Sequence, residues 1–255
     1  MDASLNGYAL ATSGLVKRFG ALAAVDGVDF RLPHGARHAL IGPNGSGKTT
    51  LINLLSGTLR TTAGRVLLKG EDITRLPAHE RVARGLARTF QINTLFPALT
   101  PIESVTMAVC QRRGLGPVLY RSMKSCRDAI DEAYGLLQQL HLDGDARRPT
   151  KELAYGKQRL LEIALALASR PTVLLLDEPA AGVPQHESSE ILAVISELPK
   201  DIAVLFIEHD IDLVFRFAQR ITVMMAGKIL CEGTPSEIAT DQQVRTVYLG
   251  DASYV

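Results

Sequence analysis

Residues 42–49 read Gly42, Pro43, Asn44, Gly45, Ser46, Gly47, Lys48, Thr49, an order that satisfies G-x-x-x-x-G-K-[ST]. Glycines in such a loop let backbone N–H groups converge on phosphate oxygens without side chains intervening, and Lys48 adds a mobile positive charge for the β and γ phosphates of a nucleotide. The Thr49 hydroxyl can serve Mg2+, and Thr50 follows in the helix behind it. A second chemistry-bearing group lies in TVLLLDE (172–178), where an apolar run ends in Asp177 and Glu178. An acid pair after a buried strand is costly to leave unpaired, so a bound cation is its natural partner. In that reading Asp177 holds Mg2+ through water and Glu178 polarises an attacking water. Simpler readings exist for both: a glycine turn with an incidental lysine, and two acids in a strand-to-loop turn. The strand-loop-helix setting of residues 42–49 favours phosphate, and a phosphate loop upstream favours the cation.

LAYGKQRLLEIA (153–164) reads as a glycine-containing turn followed by a helix, with Leu160, Leu161, Ile163 and Ala164 at helical spacing. A bare helix N-terminus is a ready site for a phosphate, although a helix preceded by glycine ordinarily just begins where the chain turns.

Elements able to position these groups follow from hydrophobic periodicity. HALIG (38–42) is a short apolar run entering the glycine loop, and KTTLINLLSG (48–57) behind it is helical. RVLLKG (65–70) reads as a further strand. Residues 8–33 contain short β-like runs broken at Gly14, Gly20 and Gly27, as in an antiparallel sheet. TVLLLD (172–177) and IAVLFIE (202–208), separated by an amphipathic helix at about 186–198, have the near-continuous apolar character of parallel strands buried on both faces. RITVMMAGKILCEG (220–233) predicts a hairpin turning at Ala226-Gly227. Thr234-Pro235-Ser236-Glu237 then has a capping-box pattern with Pro at the first helical position. From about Pro77 to Arg170 the composition is helical and turn-rich, and from near Gln91 most of it reads as a helical insertion in a parallel α/β core.

The 255 residues can bury a large core. Charge is balanced, 28 Lys and Arg against 27 Asp and Glu, so no global field exists to hold DNA, RNA or an anionic membrane, and no nucleic-acid partner is expected. Cys110, Cys126 and Cys231 are odd in number and lack C-x-x-C spacing, which predicts buried thiols in a reducing compartment. No secretory signal and no apolar run of bilayer length is evident, so the chain is expected in the cytoplasm, with any membrane role exerted through a partner. Arg81, Arg84 and Arg88 recur at helical spacing; a solvated helix face is the simpler reading, an anionic partner the alternative.

GPNGSGKTT, Gln91 in RTFQ, LAYGK, VLLLDEP and His209 in IEHD occur in the order of the ATP-binding cassette ATPases, and the chain resembles that family over nearly its whole length. The resemblance implies a P-loop NTPase (RecA-like) parallel-sheet core with an N-terminal antiparallel β subdomain. It also implies one ATPase domain over 1–255 with a helical subdomain inserted at about 91–168. It implies Phe19, in VKRFG, stacking on adenine, Gln91 linking Mg2+ to the helical subdomain, and His209 contacting the γ-phosphate and orienting the catalytic water. Alone each is ordinary: Phe19 a core residue, Gln91 a loop residue, His209 a turn residue. LAYGK takes the place of the family signature, usually LSGGQ, so Ala154, Tyr155, Gly156 and Lys157 would face the γ-phosphate of ATP held by another subunit. Function then implies a head-to-tail dimer with two ATP molecules between the subunits. Only Leu153 and Gly156 match that signature, and Lys157 opposes the helix dipole unless an anion is bound. Pro184 stands where the family usually has Asp, which puts communication between the two sites in doubt.

Within the family, GLARTFQINTLFPALTPIESV (85–105), LAYGKQRLLEIALALASRPTVLLLDEPAAG (153–182) and EGTPSEIATDQQVRTVYLG (232–250) are similar to ATP-binding subunits of branched-chain amino acid and related amino acid or amide importers. That implies a peripheral ATPase on the cytoplasmic face of the inner (plasma) membrane, with ATP and Mg2+ as ligands. Integral membrane permease subunits would dock near Leu95, Phe96 and Leu99, with a plain core residue as the alternative reading of Phe96, and a periplasmic or extracellular substrate-binding protein would be an indirect partner. Whether the second ATPase subunit is this chain or a sister stays open. The alternatives are the ATPase of a lipid or lipopolysaccharide exporter, whose signature is closer to the general pattern, and a soluble non-transport cassette ATPase, which usually carries two cassettes or a long coiled coil. A small-molecule kinase must treat LAYGKQR and EHD as accidents.

Overall fold

The structure, a computed structural model, describes residues 7–89, 95–115 and 127–246, with backbone only at Gln185 and His186; Gln91 and Cys126 lie outside the described residues. The chain divides into two compact units, one of Met1–Arg88, Thr172–Glu178 and Pro199–Val255, the other of Thr89–Pro171 and Pro179–Leu198.

The first unit opens with β1 (Tyr8–Phe19), β2 (Leu22–Val28), β3 (Arg31–Pro33), β4 (Arg37–Ile41), α1 (Lys48–Ser56), β5 (Ala63–Leu68), β6 (Glu71–Asp72), α2 (Ala78–Ala83) and β7 (Leu86–Arg88). Strands β2, β1, β5 and β6 pair in that order, with β3 also on β1, as an antiparallel sheet. Gly14 and Gly27 do not break strands, contrary to the sequence reading. Both lie inside continuous strands at positive φ, 55° and 69°, and the ladders absorb them as register shifts of the bulge type, as between Ser13 and Val16. Only Gly20 falls in a turn between strands.

The second unit contains α3 (Pro101–Arg112), α4 (Arg127–Gln139), α5 (Tyr155–Leu167) and α6 (Gln185–Ser196). Helix α3 starts on a capping box, Thr100 accepting from Glu103 N–H, with Pro101 in the first turn. Glu132 of α4 binds Arg112, Arg113 and Arg170, and hydrogen bonding from Arg112 above all holds its carboxyl down to about 2. Cys110 is buried as expected, whereas Cys231 is only partly buried; neither forms a disulfide among the described residues.

The chain returns to the first unit with β8 (Val173–Asp177), β9 (Ala203–Ile207), α7 (Ile211–Phe217), β10 (Arg220–Met225), β11 (Lys228–Gly233) and α8 (Pro235–Thr240). A second sheet runs β11-β10-β4-β9-β8-β7, parallel throughout except for the β10–β11 hairpin. Every residue of β4, β8 and β9 is buried, as strands covered on both faces require. Register decides what these strands deliver: Leu40, Ile207 and Asp177 lie in one row, so the chain leaves β4 toward Gly42, β9 toward His209 and β8 toward Glu178 at the same sheet edge. The hairpin turns at Ala226 and Gly227, both at positive φ, and α8 carries the expected Thr234–Glu237 capping box.

Arg81, Arg84 and Arg88 do not share a solvated helix face. Arg84 alone meets that expectation, pairing with Glu71 and Glu80 at the surface. Arg88 belongs to β7, and Arg81 is 1% exposed. The last carbonyls of a helix lack intrahelical donors, and Arg81 Nη1 donates to two of them in α1, Leu54 O at 2.8 Å and Leu55 O at 2.7 Å. Its remaining nitrogens reach Leu76 O and Thr74 O, and burial lowers its pKa to about 10, which still leaves it charged. His38, fully buried in β4, stacks edge-on against Phe30. The Thr222 hydroxyl donates to Glu232, so the proton between Thr222 and His38 sits on Nε2.

Two predictions follow from these buried cations and would-be cations. Arg81→Met should unfold at lower urea, losing about 3 kcal/mol because buried carbonyls are stranded; an unchanged midpoint would contradict the capping role. Burial first, and Arg220 second, hold the His38 pKa down to about 3, so the unfolded chain takes up a proton near pH 6.5 that the folded chain refuses. Stability from this group is therefore complete above pH 6.5 and falls as pH drops toward 3, by about 2 kcal/mol at pH 5. His38→Gln should lose less stability than the native chain between pH 7 and pH 5 in urea titrations at both pH values.

Candidate functional site

At the shared sheet edge of the first unit lies a cleft of about 480 Å³ lined by Phe19, Asn44, Gly45, Gly47, Lys48, Thr49, Thr50, Glu178 and His209 among others. The loop after β4 can take its path only with glycine at two positions. A Cβ on Gly42, at φ +150°, would meet Met224 O at 2.2 Å, and one on Gly47, at φ +104°, would meet Ala24 O at 2.4 Å. The loop is anchored below by Gly227 N–H donating to Ser46 O at 2.9 Å. Helix α1 starts on Gly47 with no side-chain cap and no acid in its first turn, so the free N–H groups and positive dipole end of its first turn point at an uncancelled anion site.

Lys48 folds back over this loop, Nζ donating to Gly42 O at 2.7 Å and Pro43 O at 3.1 Å. Burial lowers its pKa while the charges of Glu178 and Asp177 act in the opposite direction, which places the ammonium in the field of both acids. Glu178 stands at φ +52°, a strained conformation for a residue with a side chain, and its N–H donates to Ile207 O at 3.1 Å. Its Oε1 lies 2.9 Å from His209 Nε2, so the acid after β8 and the histidine after β9 form a hydrogen-bonded pair. Phe19 ends β1 with half its surface exposed, and Lys17 Nζ sits 5.0 Å from its ring centre. A core role for Phe19 is thereby removed, and the ring is left as a flat apolar wall at the cleft mouth.

Asp177, by contrast, is sealed. Burial raises its pKa, opposed by Arg88, whose Nη2 donates to Oδ2 at 2.9 Å. Oδ1 is buried and has no hydrogen-bond partner among the described residues. Beside the bound cation that the sequence leads one to expect at this acid, the structure supplies Arg88, a residue whose helical spacing pointed to a surface. No local signal joins these two residues, which are 89 apart in sequence; the pairing becomes legible only once β7 is known to lie beside β8.

In the second unit, helix α5 begins at Tyr155 on Ala154, which makes no side-chain cap, so Gly156 lies within the first turn rather than ahead of it. Tyr155 is 39% exposed and its hydroxyl accepts from Arg159 Nη2 at 2.7 Å. Arg159 also pairs with Glu162 at 2.9 Å. Lys157 pairs with Asp145, so the anion that relieves its conflict with the dipole comes from inside the chain. Phe96 is 64% exposed, while Leu95 and Leu99 are only partly so. Gln91 lies outside the described residues, and among those described no helix is long and apolar enough to cross a membrane.

Comparison with known proteins agrees with this geometry. Residues 25–181 match the family described as ABC transporter, and residues 228–254 match the branched-chain amino acid ATP-binding cassette transporter family. The chain is 39% identical over 252 residues to the high-affinity branched-chain amino acid transport ATP-binding protein BraF of Pseudomonas aeruginosa, covering 95% of this chain and 98% of that one. It is 39% identical over 250 residues to the corresponding LivG protein of Escherichia coli, again covering 95% and 98%. Among solved structures, MJ1267, an ATP-binding cassette of an ABC transporter in its ADP conformation, superposes with a TM-score of 0.81 at 32% identity over 95% of this chain and 98% of that one. Sequence motifs, cleft and relatives converge: the chain belongs to the ABC transporter family, among its ATP-binding cassettes.

Proposed function

We propose that this chain is the ATP-binding and ATP-hydrolysing subunit of a membrane importer for branched-chain amino acids or related amino acids and amides. The observation that carries the reading is the single cleft in which an exposed aromatic ring, the glycine loop with Lys48, and the Glu178–His209 pair stand together. The high-affinity branched-chain amino acid transport proteins among its relatives, and the family match at residues 228–254, support the cargo class.

In this reading Phe19 stacks on adenine. Residues Gly42, Pro43, Asn44, Gly45, Ser46, Gly47, Lys48, Thr49 and Thr50 bind the phosphates through backbone N–H groups, the α1 dipole and the Lys48 ammonium. Lys48 exchanges the carbonyls of Gly42 and Pro43 for β and γ phosphate oxygens. The oxygen donors Thr49 and Asp177 suit Mg2+, since Asp177 Oδ1 is a buried oxygen with no hydrogen-bond partner among the described residues, and Gln91 joins them. When bound, Mg2+ neutralises phosphate charge. Glu178 accepts a proton from the attacking water, and His209 orients Glu178 and contacts the γ-phosphate.

The chain works as a head-to-tail dimer with a second cassette subunit, Ala154, Tyr155, Gly156 and Lys157 presenting the α5 N-terminus to the nucleotide of that partner. The helical subdomain, about residues 91–168, faces integral membrane permease subunits, and Phe96 supplies exposed apolar surface for them. ATP favours the closed dimer and hydrolysis reopens it, a population shift that the permease follows. The assembly sits on the cytoplasmic face of the membrane and receives cargo from a periplasmic or extracellular substrate-binding protein.

Glu178→Gln should bind ATP with near-native affinity yet turn it over about 100-fold or more slowly, as loss of a general base predicts, and should accumulate as an ATP-dependent dimer on size exclusion. Turnover at the native rate would remove Glu178 from the chemistry. Phe19→Ala should weaken ATP binding about tenfold in fluorescence titration while Phe19→Tyr does not, because stacking needs only the ring. Tagged Glu178→Gln extracted from host membranes with ATP should bring down permease subunits and a substrate-binding protein; recovery with ribosomes instead would overturn the transport reading.

A further inference from the structure

Arg88, in β7, is bonded to two other elements at once, β8 and α1. Its backbone pairs with Leu175 of β8, its Nη2 donates to Asp177 Oδ2 at 2.9 Å, and its Nη1 donates to Asn53 Oδ1 at 2.6 Å and Ser56 Oγ at 3.1 Å on α1. The ion pair is secluded from water, with the two side chains 9% and 0% exposed. Asp177 Oδ1, on the other side of the same carboxylate, is buried and has no hydrogen-bond partner among the described residues.

A carboxylate at the end of a strand buried on both faces needs a positive charge nearby, and a divalent ion is one way to meet that need. Here the need is met from within the chain. The guanidinium cannot swing aside without also losing Asn53 and Ser56, because its planar fork spans these acceptors together with Asp177. A bare divalent ion approaching Oδ1 therefore meets a carboxylate already offset by a fixed cation, and feels that cation as a repulsion across one carboxylate group. An ion carried by nucleotide phosphates arrives with its own compensating charge and does not depend on Asp177 for most of its attraction.

We propose that Arg88 is a built-in countercation for Asp177, which keeps free Mg2+ from settling on the acid and makes metal capture there conditional on the phosphates of the nucleotide. This rests on the assignment of Asp177 to Mg2+ above. Arg88 is thus a positioning residue, which acts by fixing the charge and one oxygen of Asp177.

The test uses Mn2+ as the probe, titrated into the full chain and followed by electron paramagnetic resonance, without nucleotide and with ATP. Without nucleotide, Asp177→Asn should leave Mn2+ binding as it is in the native chain. Arg88→Gln, which removes the charge but keeps hydrogen-bonding groups, should bind nucleotide-free Mn2+ about tenfold or more tightly than the native chain. That gain should vanish in Arg88→Gln combined with Asp177→Asn, and should be absent in Arg88→Lys, which keeps the charge. A folded Arg88→Gln protein with no gain overturns the inference, and so does a native chain whose nucleotide-free Mn2+ binding is weakened by Asp177→Asn. The latter comparison leaves Arg88 untouched, so it decides the matter even where Arg88→Gln fails to fold. With ATP present, Asp177→Asn should weaken Mn2+ capture; no weakening there removes the metal assignment itself, a failure distinct from that of the Arg88 inference.

Discussion

A carboxylate at the end of a strand with no access to water is the constraint around which this molecule is arranged. Asp177 is the last residue of β8, every residue of β8 is buried, and its side chain is fully covered. Such a group is tolerable only with a positive partner in hydrogen-bonding geometry. Arg88 meets that condition from β7, and because the same guanidinium binds Asn53 and Ser56, one charge ties the acid, the edge strand and the helix that begins at Lys48 into a single rigid block. Arg81 grips the same C-terminal end of that helix through Leu54 O and Leu55 O. The helix whose uncapped N-terminus opens on the cleft is thus held at its far end by Arg81 and Arg88.

Strand register converts that block into a site. With Leu40, Ile207 and Asp177 in one row, three neighbouring parallel strands deliver the glycine loop, His209 and Glu178 to one edge, where open α/β sheets place their ligands. Strain is concentrated at the same place. Glu178 holds a positive φ, costing on the order of 1–2 kcal/mol, and the loop before α1 passes so close to Met224 O and Ala24 O that only glycine fits at Gly42 and Gly47. Neighbouring strands buried on both faces are stiff enough to impose these conformations, and the result is an acid turned toward the histidine beside it.

The second unit treats its helix N-terminus differently. At α1 no acid of the first turn cancels the dipole, whereas at α5 the basic residue of the first turn, Lys157, is paired with Asp145 and the aromatic Tyr155 is held by Arg159. Polar groups around the α5 terminus are therefore fixed by bonds within its own unit, a pre-organised surface rather than a set of free side chains.

Local chemistry of the chain determined a good deal unaided. The phosphate loop, the apolar strands ending in Asp177 and in Glu208, the hairpin at Ala226-Gly227 and the capping box at Thr234 are each written in adjacent residues, because turns, caps and two-face burial are properties of short segments. What required the tertiary structure were relations between segments far apart in sequence. Gly14 and Gly27 look like breaks until neighbouring strands show that bulges absorb them. Arg81, Arg84 and Arg88 look like one helix face until the chain is seen to leave the helix after Arg84, and then one arginine is found capping α1 and another neutralising Asp177, 89 residues away. Beside the metal that the sequence suggests for Asp177 the fold supplies an arginine, since a protein countercharge for a buried acid depends on which strand lies beside it, and strand order is a property of the folded sheet.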